Sequence, residues 1–401
     1  MKTFDLVLYG ATGFTGKQAA QYLRNRAPRD LKWAIAGRNQ DKLKALAKEL
    51  GLPESSIIVA DSQDRTAIEA MVGQGRVIAS TVGPFAKYGA ILIEACCRSG
   101  THYLDITGET PFIKDMIKQW EPEAQRTGAK LIPFSGFDSV PSDIGVYYAV
   151  LEMKALGVGV KRIDSYYKMK GGFNGGTIAS ALHMAETGQN RKLLDPLLLT
   201  PQKLKSDEEK RESYQTTKPV YVEALGGWSP PFFMAPINTA VVRRSYALFR
   251  QAGFVYGKQF RYAERLAPMG SKWKAQLVTG GSVAFAVTIS SGLGRKLVEK
   301  VAPDPGEGPS QNAIESGFFS NTMICTGDNG KQYKAMLSAQ GDPGNRVTIT
   351  ILCESAITLA TQEAKLEQKK AAGFLTPAFA LGKHLMNRLE ESGFVFSFKQ
   401  V

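Results

Sequence analysis

The run Phe4-Asp5-Leu6-Val7-Leu8-Tyr9, followed at once by Gly10-Ala11-Thr12-Gly13-Phe14-Thr15-Gly16, decides how this chain is read. Residues 4–9 are a short apolar run of strand type, and 15–26 carry apolar residues at helical spacing, so the glycines sit on a strand-to-helix turn. Gly10 permits the tight exit from the strand. Gly13 lets backbone amides approach a pyrophosphate, and Gly16 lets the helix pack closely against the sheet. The helix N-terminus supplies free N–H groups and a partial positive charge. Thr12, Phe14 and Thr15 complete a turn expected to hold a dinucleotide.

The same rhythm extends outward. Apolar runs at 32–36, 57–60, 77–82, 103–106 and 130–134 alternate with helical stretches such as 41–50 and 89–98, punctuated by Pro28, Gly51, Pro53, Gly73 and Gly100. Strand–helix alternation builds a parallel sheet covered on both faces. The expected fold class is α/β: an N-terminal Rossmann-type doubly wound parallel sheet over 1–145, with a second, α+β domain over 146–370 and a C-terminal segment over 371–401. In that second part, 318–326 and 332–339 flank Gly327-Asp328-Asn329-Gly330, a hairpin signal. The β-branched run 347–352 leads into a helix-like segment near 354–364. Thr376-Pro377 offers an N-cap and a first-turn proline for a helix through about 391.

The end of the second strand selects the cofactor. An NAD site places an acid there for the ribose 2′-hydroxyl; this chain reads Ala36-Gly37-Arg38-Asn39, with no acid before Asp41. Arg38 suits a 2′-phosphate, which predicts NADP(H). Ligands bind outside the carboxyl ends of strands in such sheets. Asp61 and Ser62, after the third strand, are expected to flank the adenine. Thr81, Val82, Gly83 and Pro84, after the fourth, fall on the nicotinamide side, with Phe85 and Tyr88 walling the ring.

The chemistry is less explicit. Tyr-x-x-x-Lys occurs at Tyr166–Lys170 and Tyr214–Lys218. The first lies in a strand-like run and the second is followed by Pro219, so neither reads as a helical catalytic pair. His102, His183 and His384 are scattered, and His102 reads as structural. The loop Ser135-Gly136-Phe137-Asp138-Ser139 after the sixth strand is expected to face substrate, although Ser139 or Ser142 equally suits a helix cap. Asp105 and Glu109 form a second acidic pair near that edge. Tyr88, Asp138 and Ser139 are the catalytic candidates. No metal is expected, since the four cysteines, Cys96, Cys97, Cys325 and Cys353, show neither ligand spacing nor histidine partners.

Of the 401 residues, 43% are apolar and 22% charged, a globular composition too long for a single core. No run is long and apolar enough to span a membrane, and the N-terminus does not read as a signal peptide, so a reduced, cytoplasmic chain is expected. Charge is uneven. Residues 151–300 hold 23 basic and 11 acidic side chains, and 241–300 alone hold 11 and 2. Such a block either attracts an anionic partner or serves solubility. The apolar stretch 280–294, bordered by Lys272, Lys274, Arg295 and Lys296, reads as a membrane-interface segment, an acyl tunnel lining or a core element.

The motifs GATGFTG, AGR, TVGPFAKYG, YLDITGE and GFDSVPSDIG, in this order, resemble those of the saccharopine dehydrogenase-like oxidoreductases, and within them the trans-acting enoyl reductases of lipid biosynthesis. NTAVVRRS (238–245), PDPGEGP (303–309), GDPG (341–344) and LTP (375–377) extend the resemblance along the chain. Asn345-Arg346 departs from it, where the family has a tyrosine and a small residue. The resemblance implies an NAD(P)-binding fold with an inserted domain and a C-terminal segment packing back on the first. It also implies reduction of a carbon–carbon double bond in a lipid or carrier-bound acyl substrate. The expectation is therefore an NADPH-dependent enoyl reductase, with an acyl carrier protein or a peripheral membrane surface as partner. A homodimer is left open and nucleic acid is not expected. The alternatives are a lipid-surface binding protein with a structural or NADP(H)-sensing Rossmann domain, and a saccharopine-type amino-acid dehydrogenase.

Overall fold

The structure, a computed structural model, describes residues 2–172, 175–301 and 308–401. The first part contains β1 (Phe4–Tyr9), β2 (Trp33–Gly37), β3 (Ile57–Val59), β4 (Gly75–Ser80), β5 (His102–Asp105) and β6 (Lys130–Ile132). The remainder contains β7 (Val160–Lys170), β8 (Val220–Val222), β9 (Gly227–Ser229), β10 (Arg261–Leu266), β11 (Phe318–Gly327), β12 (Gln332–Gln340), β13 (Gly373–Phe374) and β14 (Val395–Gln400). One sheet runs β13-β6-β5-β4-β1-β2-β3, all parallel. Its order reverses between β1 and β4, which places the ligand crevice at their carboxyl ends. A second sheet runs β10-β7-β11-β12-β14, antiparallel except for β10 on β7.

Local chemistry explains the clearest boundaries. Asn39 Oδ1 accepts from the Lys42 amide at 2.9 Å to start the helix Gln40–Leu50, and Gly51 ends it at φ 63°. The hairpin β11–β12 turns through Gly330 at φ 78°, where a left-handed residue is needed.

The β-branched run at 347–352 does not extend as a strand. The helix Thr348–Gln362 already covers most of it and packs on β1, β4 and the helix Phe14–Arg26. Ile351, Leu352, Ile357 and Leu359 are fully buried there. Burial of about 1.5–3 kcal/mol per large apolar side chain outweighs a helix-propensity deficit of a few tenths per residue. This helix thus lies on the first sheet, although it falls within 146–370. The 371–401 segment divides: β13 extends the first sheet beside β6, and β14 edges the second. The helix Pro377–Glu391 follows Thr376 as read, but Thr376 does not cap it; its hydroxyl lies 2.5 Å from Ser245 Oγ.

The basic block is not one exposed face. Arg243 donates to the carbonyls of Pro196, Ser213 and Tyr262, Arg244 to those of Leu199 and Phe374, and Arg265 to those of Thr216, Lys218 and Ser229. All three are buried, and burial pushes their basicity down. Linear charge counting overstated the surface field because these guanidiniums act as interior cross-links. Of PDPGEGP, only Gly308 and Pro309 fall within the described residues; the rest lies outside them.

Candidate functional site

The glycine-rich turn leaves β1 with Gly10 at φ 87°, and the Gly13 amide donates to the Gly10 carbonyl at 3.0 Å. A Cβ on Gly16 would stand 2.0 Å from the Gly10 carbonyl oxygen, so Gly16 lets the helix meet the turn. A Cβ on Gly13 would meet only that same oxygen, at 3.4 Å, on an otherwise open side. Among the described residues, the amides of Phe14, Thr15 and Gly16 have no protein acceptor, as first-turn donors of a helix do not. The side chains of Thr12, Phe14 and Thr15 are half-buried around the turn. Gly308 passes so close to the Phe14 ring that a Cβ there would touch it.

Three further loops converge here. A Cβ on Gly10 would stand 2.7 Å from Thr81 Oγ1 and 2.7 Å from Val82 Cγ2, so the turn and the loop after β4 are in contact. The Thr81 amide and hydroxyl donate to the Tyr9 carbonyl at 2.9 and 3.2 Å. The Gly83–Pro84 bond is cis. Arg38, at the end of β2, is exposed and forms no hydrogen bond or ion pair among the described residues, and no acid stands at that strand end. Asp61 and Ser62 are half-buried after β3. Asp61 Oδ1 accepts from the Gln63 amide at 2.9 Å, and the Tyr9 hydroxyl, pushed up to about 12 by burial, donates to the Ala60 carbonyl at 3.3 Å.

These features fit a dinucleotide bearing a 2′-phosphate. The turn is an open cradle with free amides, and an unpaired guanidinium stands where an acid would reject the extra phosphate.

Two buried carboxylates organise the neighbouring loops. Asp105 Oδ1 accepts from the amides of Thr107 and Phe134 at 3.0 and 3.1 Å, and Oδ2 from the Tyr103 hydroxyl at 2.7 Å. It thereby joins the loops after β5 and β6, and fixes Phe134 at φ 65°, left-handed for a non-glycine residue. Burial pushes this carboxyl up to about 7. Glu109 accepts from the amides of Phe85 and Ala86 at 2.8 and 2.9 Å and from the Ser180 hydroxyl at 2.8 Å. Ser180 lies on the helix Gly175–Glu186 of the second part of the chain. Glu109 was visible only as an acid near the edge, and Ser180 carried no sequence signal.

Of the catalytic candidates, Asp138 stands apart. It is half-buried, and its carboxyl has no hydrogen-bond partner among the described residues. Burial pushes it up to about 6. A Cβ on Gly108 would lie 3.4 Å from Asp138 Oδ2 and 3.5 Å from Ile237 Cδ1, so the loops after β5 and β6 meet the first turn of the helix Ala235–Gln251 here.

Ser139 is fully buried, with no partner for its hydroxyl among the described residues and no capping bond to the helix Val140–Ala155. As placed it touches protein rather than the crevice. Ser142 does not cap either; its hydroxyl lies 2.6 Å from the Tyr167 hydroxyl. Beneath them Glu264, pushed up to about 7 by burial, accepts from Tyr262 and Asn238 at 2.6 and 2.9 Å. Tyr88 ends the short helix Phe85–Tyr88, half-buried, with the Lys87 ammonium 5.2 Å from its ring centre. No hydrogen bond joins Tyr88 to Asp138 or Ser139. Neither Tyr-x-x-x-Lys match is a helical pair: Tyr166 and Lys170 lie in β7, and Tyr214 begins a non-helical segment.

Comparison with known proteins agrees with this geometry. Residues 6–132 match the saccharopine dehydrogenase NADP binding domain. A Mycobacterium tuberculosis protein, provisionally named a trans-acting enoyl reductase, is 38% identical over 98% of this chain and 96% of its own. The trans-acting enoyl reductase of Mycobacterium ulcerans is 34% identical over 99% of this chain and 98% of its own. Among solved structures, saccharopine dehydrogenase (L-Glu forming) from Saccharomyces cerevisiae superposes with a TM-score of 0.57 at 13% identity, covering 99% of both chains. Homospermidine synthase from Legionella pneumophila gives 0.53 at 11%, covering 99% of this chain and 91% of its own. At such identities these two speak for the fold alone. The cofactor is NADP(H), and the chain belongs to the trans-acting enoyl reductase family of NADP-dependent oxidoreductases, built on the saccharopine dehydrogenase fold.

Proposed function

We propose that this protein reduces the carbon–carbon double bond of an α,β-unsaturated acyl chain presented by a partner, with Asp138 supplying the proton. The carrying observation is the half-buried Asp138 carboxyl, without a hydrogen-bond partner among the described residues and pushed up to about 6 at the carboxyl edge of the sheet. Bound NADPH supplies the hydride. Around it, Gly10, Gly13 and Gly16 shape the cradle, the amides of Phe14, Thr15 and Gly16 receive the pyrophosphate, and Arg38 holds the 2′-phosphate. Asp61 and Ser62 border the adenine end.

The loop Thr81–Pro84 walls the nicotinamide side, held by Glu109 through the Phe85 and Ala86 amides. Tyr88 borders the opening, and Ser139 lies buried in the turn that carries Asp138, its hydroxyl without a partner among the described residues. Asp138, protonated, delivers its proton to the carbon beside the acyl carbonyl, and its burial keeps that proton available at mildly acidic pH. The relatives' trans-acting name supports a substrate carried by a separate acyl carrier protein.

A saccharopine-type amino-acid substrate is less well served. Its carboxylates need free cationic side chains, and Arg243 and Arg244 are committed to backbone carbonyls.

The test is NADPH oxidation with a series of trans-2-enoyl pantetheine thioesters, using NADPH deuterated at C4. The expected product carries one deuterium and one solvent hydrogen across the former double bond. NADPH oxidation by carbonyl or imine substrates, with enoyl thioesters inert, would overturn the reading.

A further inference from the structure

The helix Lys272–Ser290 touches the second part of the chain at β9 and at the helix Gly175–Glu186. Ala275 is its only buried residue, and Lys272 Nζ lies 4.8 Å from the Trp228 ring centre. Beyond that root, Leu277, Val283, Phe285 and Val287 are 64%, 54%, 50% and 66% exposed. No charged side chain occurs between 275 and 290. At about 100° per residue these four side chains point to different sides of the helix. A groove in a partner protein covers one stripe; a helix apolar on several faces calls for an apolar medium around it.

At Ser291 the chain bends by 108° into the helix Gly292–Val301. Here the apolar residues do form one stripe: Leu293, Leu297 and Val301, four apart, are 84%, 62% and 78% exposed. Val298, half-buried, borders the stripe, and the remaining circumference carries Arg295, Lys296, Glu299 and Lys300. This is the pattern of a helix lying in a lipid interface with its basic side toward head groups. With Lys272 and Lys274 at the root, five basic side chains face one acid across the pair. No single helix among the described residues is long and apolar enough to cross a membrane.

We propose that this bent helix pair is a peripheral anchor that seats the protein on an anionic lipid surface. The uncharged shaft enters the acyl layer, the second helix lies along its surface, and the basic side chains meet the head groups. The shaft packs on the helix Gly175–Glu186, which carries Ser180 to Glu109. The anchor is therefore one helix away from the candidate site. The proposal does not depend on the reduction assigned above.

The experiment is co-sedimentation of the full chain with vesicles of phosphatidylcholine alone and of phosphatidylcholine mixed with phosphatidylglycerol, at low and high salt. We expect roughly tenfold more protein bound to the anionic vesicles at low salt, with a salt-resistant remainder from the apolar shaft. Leu277→Glu/Phe285→Glu/Leu293→Glu/Leu297→Glu should lose vesicle binding altogether. Lys296→Gln/Lys300→Gln, at exposed positions, should lose only the preference for anionic vesicles. Both variants should keep NADPH affinity and thermal unfolding unchanged, because the altered residues are exposed. The proposal is overturned if the protein ignores both vesicle types, or if the fourfold glutamate variant binds as the parent does. It is equally overturned if the pair instead supports a concentration-dependent dimer, or captures acyl carrier protein, without any vesicle binding.

Discussion

Glu109 and Ser180, 71 residues apart in the chain, share a 2.8 Å hydrogen bond that joins the edge of the first sheet to a helix of the second part. The same carboxylate caps the Phe85 and Ala86 amides, so one side chain sets both the loop after β4 and the approach of the facing helix. Glu109→Ala leaves two amides and a hydroxyl without their acceptor. Bonds to a charged group contribute about 1.5–3 kcal/mol each, with partial recovery by water. We expect a loss of about 2–4 kcal/mol in stability and a raised KM for NADPH. Glu109→Gln should recover part of both. Thermal unfolding together with NADPH titration checks this, and an unchanged KM in a destabilised Ala variant would confine Glu109 to folding.

Gly13 and Gly16 should respond differently to a side chain. Gly13 has φ −77°, which any residue adopts, and its open side faces the proposed pyrophosphate. Gly13→Val should fold normally and fail to bind NADPH. Gly16→Ala forces a Cβ to within 2.0 Å of the Gly10 carbonyl, so the helix must shift and thermal stability must fall. Normal NADPH binding by folded Gly13→Val would misplace the whole turn.

Arg38 forms no hydrogen bond or ion pair among the described residues, so its removal should cost cofactor discrimination and little stability. Arg38→Asp should weaken NADPH by about 1.5–3 kcal/mol, the range of a charge-assisted bond, and narrow its advantage over NADH. Parallel fluorescence titrations with both nucleotides measure this. Unaltered selectivity would remove Arg38 from the 2′-phosphate.

The first sheet was legible because its strands are local and continuous: β1 runs from Phe4 to Tyr9 as read, and its glycine turn opens a helix where the spacing required one. Legibility failed where tertiary contacts decide. Residues 348–362 are buried on nearly every side, so no apolar stripe separates helix from strand, and the β-branched residues mislead. Gly373–Phe374 is too short to carry a pattern, yet it pairs beside β6. Arg243 and Arg244 look like surface charge in a linear count and are interior cross-links. The contacts that tie the candidate site together, Asp105 with the Phe134 amide and Glu109 with the Phe85 amide and Ser180, join residues distant in sequence, and single-chain spacing cannot report those.

Asp138 gives the site a pH signature. Its carboxyl is held near 6, above the ordinary aspartate value, because burial disfavours the anion. The protonated form, the one that can deliver a proton, therefore dominates below about 6 and is lost as pH rises through that value. If proton delivery limits turnover, kcat/KM for an enoyl thioester should be level at low pH and fall towards tenfold per unit above about 6. Asp138→Asn keeps the shape and removes the proton. It should lower kcat by about 10²–10⁴, the usual worth of a positioned acid, and flatten that limb of the profile, while NADPH affinity holds. The stability sign runs the same way. A carboxyl raised in the folded state favours folding at low pH, and that contribution fades as pH climbs from the unfolded value through the folded one. Asp138→Asn should therefore also soften the decline in thermal stability between about pH 4 and 6. A variant that retained the full alkaline fall in kcat/KM would assign the proton to another group, and the buried Asp138 carboxyl would then only shape the crevice.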